Sequence, residues 1–262
     1  MEATRRVAFL CSGFNGLTQQ VWTALAPRFA ASILVVGPQW DRLLDFKPHL
    51  VLAPYLNLRI PEFVYSQVPC LVLHPGPHGL GGPSSLNWAI LEGRKDWAAC
   101  IFEARQGWDE GPLWAEQSFE LPKGSVIQLY RRTIAPQATA LYQRAILRLW
   151  QGGDPLPRGE FRYQRRLTSA DLEIDWSRPA EDLLAVVQAG DSQPGAWGEI
   201  EGKRYGLFGA RLSAPQGRPG ELLGFEESAA LVACGKGSLK FSRLMPEGQV
   251  KLRAIEALKR EE

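Results

Sequence analysis

The sequence predicts an α/β protein in two domains, the first built on a mainly parallel sheet and the second small and β-rich. Three observations carry this prediction. Short apolar runs alternate with helix-patterned stretches through residues 1–150, as βαβ units do. The stretch Gln151-Gly152-Gly153-Asp154-Pro155-Leu156-Pro157-Arg158-Gly159 breaks that composition and predicts a linker over residues 151–164. Beyond it, glycine-separated strand-like runs occupy residues 165–256, with a charged tail at 257–262 expected to fray.

Taken in order, residues 7–11 (VAFLC) make a short buried strand, followed by the turn Ser12-Gly13-Phe14-Asn15-Gly16 and a helical pattern over residues 18–31. Residues 32–36, 50–53 and 70–73 are the next strands. Residues 99–104 and 113–119 are strands flanking a turn at 107–111. Ser125 opens a long helix with Gln128 in capping-box position, running to Trp150, and Pro136 is expected to kink or break it. In the second domain, Ser177 is the expected N-cap of a helix with Pro179 in its first turn and Gly190 as its stop. Strands follow at 203–208, 229–234, 238–243 and 250–253, a set that would suit a small barrel.

Composition narrows the function classes. With 45% hydrophobic and 22% charged residues the 262-residue chain has ample material for a core. A net charge of +2 provides no general pull toward nucleic acid or membrane. The four cysteines are scattered without a CxxC pair, which argues against a zinc ribbon or a disulfide framework and fits a reducing cytoplasm. The N-terminal apolar run is too short for a signal peptide, and no run approaches the ~20 apolar residues of a membrane span. A soluble cytoplasmic protein without a metal is the expectation.

Chemistry concentrates at residues 70–90, CLVLHPGPHGLGGPSSLNWAI. A buried strand runs into His74 and then into a loop whose glycines let backbone approach a ligand closely. Ligands of open α/β sheets sit beyond the carboxyl ends of the strands. His49 precedes a strand and is expected to be structural, and His78 to be a solvated loop residue. Asp109, between Trp108 and Trp114, is the second candidate, since a carboxylate beside apolar rings can have a raised pKa suited to proton transfer. A surface turn aspartate is the plainer alternative. The loop glycines fit neither G-x-G-x-x-G nor a phosphate loop, and a GxSxG elbow and metal-ligand spacing are both absent from the sequence.

Together these segments resemble the folate-dependent formyltransferase superfamily, which joins a Rossmann-like domain to a smaller open-barrel (OB-like) C-terminal domain. His74 matches the histidine of its Asn-x-His hallmark and Asp109 with Gly111 its Asp-x-Gly, while Val72 stands where the asparagine is usual. Residues 165–190 resemble the opening of the C-terminal domain, and Pro194-Gly195-Ala196 its turn. Closer in, residues 14–19 (FNGLTQ), 53–61 (APYLNLRIP), 83–90 (PSSLNWAI), 129–131 (LYR) and 217–221 (GRPGE) are similar to the HypX (HoxX) family of [NiFe]-hydrogenase maturation proteins. That family usually carries Gly-Asp-Arg-Gly where this chain has Gly79-Leu80-Gly81-Gly82.

The resemblance implies that the first domain binds 10-formyltetrahydrofolate, with contacts from Ala53, Tyr55, Leu56, Ile60, Trp108 and Gly111. It makes His74 the donor to the formyl oxygen and Asp109 the group that orients His74 and helps move the proton. Asn15 or Ser84 would assist in place of the missing asparagine. Coenzyme A is the implied formyl acceptor, with Arg131, Arg165, Arg166, Lys203 and Arg204 available to its phosphates. The implied setting is supply of carbon monoxide for hydrogenase maturation, with a crotonase-like domain or other maturation proteins as partners. Methionyl-tRNA or a sugar-nucleotide amine is the alternative acceptor, and a non-catalytic folate- or partner-binding module the alternative class.

Overall fold

The computed structural model describes residues 4–191 and 194–259. The chain packs as two units. The first comprises Met1–Ser85, Lys95–Pro122 and Gln128–Arg165; the second comprises Leu86–Arg94, Lys123–Ile127 and Arg166–Glu262. Two segments expected in the first domain therefore belong to the second unit. For Leu86–Arg94 the reason is apolar burial: Trp88, Ile90 and Leu91 pack against that unit's core.

In the first unit, β1 (Arg6–Cys11), α1 (Gly16–Leu25), β2 (Ala31–Val36), α2 (Trp40–Asp45), β3 (Leu50–Tyr55), α3 (Glu62–Tyr65) and β4 (Cys70–His74) follow one another. The strands lie in the order β2-β1-β3-β4, all parallel. Residues 7–11 and 50–53 are wholly buried, as apolar runs covered on both faces should be. Asn15 caps α1 by accepting the Thr18 N–H at 3.0 Å, and Leu17, Val21 and Leu25 form its buried stripe. The helix ends sooner than expected, because Pro27 lies in a 3₁₀ turn over Ala26–Arg28.

A short β5 (Leu80–Gly81) and α4 (Ser85–Leu91) lead to the hairpin of β6 (Asp96–Glu103) and β7 (Leu113–Glu120). β6 pairs antiparallel with β4, so the sheet is mixed. The expected long helix is three pieces: α5 (Val126–Leu129), a π turn over Tyr130–Ile134, and α6 (Ala135–Trp150). Pro136 cannot donate to the carbonyl one turn back, and the π turn accommodates that loss just before it.

The stretch expected as a linker is an ordered strap. Leu156 N–H bonds the Leu113 carbonyl at 2.7 Å, and β8 (Arg162–Tyr163) pairs in parallel with β5.

In the second unit, α7 (Ala180–Ala189) packs on an antiparallel sheet of β9 (Ala196–Ile200), β10 (Lys203–Ser213), β11 (Leu222–Glu226), β12 (Ala229–Ala233) and β13 (Ser238–Pro246). The order is β11-β12-β13-β10-β9, with β14 (Leu252–Arg253) added on β13, so β11 and β9 are edges and the sheet stays open. Ser177 is not the helix cap. Its N–H and hydroxyl are taken by Asp175 Oδ1 at 3.0 and 2.6 Å, and Pro179 occupies the N-cap while Gly190 ends the helix as expected. The expected tail starts too early: residues 257–259 finish α8 (Ala254–Lys259), with Ala257 buried. Residues 260–262 lie outside the described residues.

Candidate active site

His74 is the last residue of β4, held in antiparallel register opposite Cys100. Its side chain is 3% exposed, and each ring nitrogen faces a protein oxygen. Nε2 lies 2.7 Å from the Leu80 carbonyl oxygen. A carbonyl only accepts, so Nε2 carries a proton and donates. Nδ1 lies 3.3 Å from Asp109 Oδ2. The same carboxylate oxygen accepts the Gly82 N–H at 2.8 Å. The imidazole is thereby clamped between a carboxylate and a peptide carbonyl.

Asp109 sits in the turn of the β6–β7 hairpin with φ of 55°, a left-handed conformation that Asp tolerates better than most residues. Gly111 closes this turn, because a Cβ there would collide with the Glu103 carbonyl oxygen. The contacts of Asp109 that the structure describes are polar. Trp114 directs its indole N–H to Glu103 Oε2 at 3.0 Å, and the polar partners of Asp109 are His74 and the Gly82 N–H.

The loop over residues 75–82 is tied from both sides. Pro75 and Gly76 carbonyls accept from Trp97 Nε1 (2.8 Å) and Cys100 Sγ (2.9 Å). Gly79 and Gly81 carbonyls accept the N–H groups of Arg162 (2.9 Å) and Gln164 (2.8 Å) on the strap. Gly82, at φ of 125°, has no space for a Cβ against the Gln164 carbonyl. His78, expected to be solvated, pairs through Nδ1 with Glu116 at 2.8 Å, and its backbone N–H meets the other carboxylate oxygen at 3.0 Å. His49 is structural, with Nδ1 accepting the Arg6 N–H at 3.0 Å. Burial, then the Glu116 and Asp109 charges, push the Cys100 thiol pKa well up, so it is a neutral donor.

The remaining candidates are spread out. Asn15 is spent partly as the α1 cap and is exposed; Ser84 is buried. Ala53 and Ile60 are core residues at 0% and 4% exposure, and Leu56 is half-buried against the cluster that holds Ile60. Tyr55 and Trp108 are half-buried and Gly111 is buried. Arg131 and Arg165 are exposed in the first unit. Arg166, Lys203 and Arg204 are exposed in the second, where Arg204 stacks 3.7 Å over Trp197. Among the described residues, no group of three or more His, Cys, Asp and Glu is placed to hold a metal ion.

Sequence reasoning missed the Leu80 carbonyl, the Gly82 N–H, Arg158 and Tyr130. The first two are backbone groups with no side-chain signature. Tyr130 is on the π turn, and burial, with Tyr55 and Asp109 nearby, raises its pKa so that the phenol stays protonated. A π turn is itself a frequent mark of functional sites.

Residues 166–262 match the family described as Formyl transferase, C-terminal domain. The chain is 30% identical over 245 residues to the hydrogenase maturation factor HoxX of Bradyrhizobium diazoefficiens, covering 89% of this chain and 43% of that protein. It is 30% identical over 226 residues to the methionyl-tRNA formyltransferase of Parvibaculum lavamentivorans, covering 82% of this chain and 72% of that one. The crystal structure of HypX from Aquifex aeolicus in complex with tetrahydrofolic acid superposes with a TM-score of 0.92 at 28% identity, over 98% of this chain and 47% of that one. The chain thus spans about half the length of the maturation factors it matches.

Proposed function

Because the chain belongs to the formyl transferase family, we propose that it transfers the formyl group of 10-formyltetrahydrofolate to the thiol of coenzyme A. The observation that carries this is the His74–Asp109 pair at 3.3 Å on the carboxyl edge of the sheet, in a chain similar to a tetrahydrofolate-bound HypX.

In this reaction the thiol sulfur attacks the formyl carbon, the bond from that carbon to folate N10 breaks, and N10 ends with the proton the thiol loses. Formyl-coenzyme A and tetrahydrofolate are the products. Negative charge grows on the formyl oxygen, and the His74 Nε2–H is the donor for it. Such a donor lowers a barrier by about 3–4 kcal/mol where one has been removed in other enzymes. The donor is occupied by the Leu80 carbonyl at 2.7 Å. Substrate binding must therefore displace that carbonyl, and the formyl oxygen takes its place as an acceptor of the same kind. Asp109 Oδ2, 3.3 Å from Nδ1, orients the ring when Nδ1 carries a proton as well.

Val72 replaces the usual asparagine, so a second donor to the formyl oxygen must come from a backbone N–H or from Asn15 or Ser84. Arg131 and Arg165 of the first unit provide positive charge for coenzyme A phosphates. The setting we propose is cytoplasmic carbon monoxide supply to [NiFe]-hydrogenase assembly, with a crotonase-like partner domain consuming the formyl thioester.

Two competing functions have observations of their own. The Parvibaculum relative favours methionyl-tRNA as acceptor. The engaged His74 Nε2 and Val72 favour a module that binds folate without turnover. Incubation with 10-formyltetrahydrofolate and coenzyme A, methionyl-tRNA or a sugar-nucleotide amine separates them. Formyl-coenzyme A supports our proposal; formylation of either other acceptor, or folate binding without turnover, refutes it.

A further inference from the structure

The strap does more than connect. Arg158 directs its guanidinium at three consecutive carbonyls of the turn that carries Asp109. Nη2 meets the Asp109 oxygen at 3.1 Å, while Nη1 meets the Gly111 oxygen at 2.9 Å and also the Glu110 oxygen. The same guanidinium lies 5.2 Å over the rings of both Phe102 and Phe161, and Phe161 covers Gly81.

Three carbonyl dipoles converging on one point repel each other unless a cation lies between them. The turn also keeps Asp109 at a positive φ of 55°, which is costly for a residue with a side chain. The cation that offsets both is Arg158. On the opposite side of the turn the Asp109 carboxylate meets His74 and the Gly82 N–H. The strap also holds the second partner of His74, since Arg162 and Gln164 N–H groups bind the carbonyls on either side of Leu80.

We propose that Arg158 is a positioning residue for the His74–Asp109 pair, acting through the backbone of residues 109–111. The proposal rests on this pair being the reacting pair. Only a planar fork suits the geometry: a lysine ammonium is one compact charge and cannot span three carbonyls in the same way.

The test uses the full chain. Imidazole ¹⁵N spectra of the unliganded protein are compared for wild type, Arg158→Ala and Arg158→Lys, with His49 as internal reference. The expected result is a changed His74 signal in both variants with His49 unmoved. In formyl transfer, kcat falls at least tenfold in both variants with KM for the folate within about twofold, and added guanidinium ion restores part of the kcat of Arg158→Ala. Unchanged His74 signals, or full kcat in Arg158→Lys, would overturn the proposal. If the His74 signals move but the wild type transfers no formyl group to any acceptor, the positioning role stands and the catalytic assignment of the pair fails.

Discussion

His74 and Asp109 illustrate what one residue's surroundings decide. Both were legible in the sequence, one as the histidine at a strand's carboxyl end and the other in Asp-x-Gly. Their states were not legible. The Leu80 carbonyl that occupies Nε2 and the Gly82 N–H that holds the carboxylate are backbone groups, and any residue carries them. Gly111 is the clearest test of the local architecture, since any side chain there strikes the Glu103 carbonyl. Gly111→Ala should destabilise the protein by about 2 kcal/mol or more, by forcing the hairpin turn open. Urea unfolding measures this; a midpoint equal to wild type would mean the turn relaxes freely.

Among the elements, the parallel strands were readable because buried apolar runs have few other uses. The short helices α2 and α3 were missed, since four to six residues show no clear period. The strap was misjudged for another reason. Glycine and proline signal irregular backbone, and irregular backbone is easily equated with a free linker. Long-range pairing with β5 and the Leu156–Leu113 bridge leave no trace in composition. The strap should therefore resist limited trypsin at Arg158 and Arg162, because the Arg158 side chain is engaged on the turn and the Arg162 backbone N–H on the loop. Mass spectrometry of early fragments checks this. Rapid cleavage at those two arginines would restore the linker.

Over the whole molecule, the four cysteines are buried free thiols. Burial pushes the Cys70 and Cys100 pKa values well above the ordinary 9.0 and that of Cys234 to about 11. These thiols hold their protons in the folded chain and release them when it unfolds. Their contribution is thus complete below pH 9.0 and is lost as pH rises past it. The raised phenols of half-buried Tyr130 and buried Tyr142 act in the same direction from 10.0 upward. Stability should fall by about 1.4 kcal/mol per pH unit for each fully buried thiol above that point. Equal urea midpoints at about pH 7.5 and about pH 10 would contradict this. The two-unit division was only partly legible, because the transfer of residues 86–94 to the second unit depends on where Trp88 and Ile90 find apolar partners.

The central claim is that His74 and Asp109 act on the formyl group. Its most direct test is the rate of formyl transfer from 10-formyltetrahydrofolate to coenzyme A in single-turnover mixing of wild type, His74→Ala and Asp109→Asn, with folate binding measured in parallel. We predict that each variant still binds folate and loses at least tenfold in rate, or about 1.4 kcal/mol of barrier stabilisation. Undiminished transfer in either variant would contradict the role assigned to that residue.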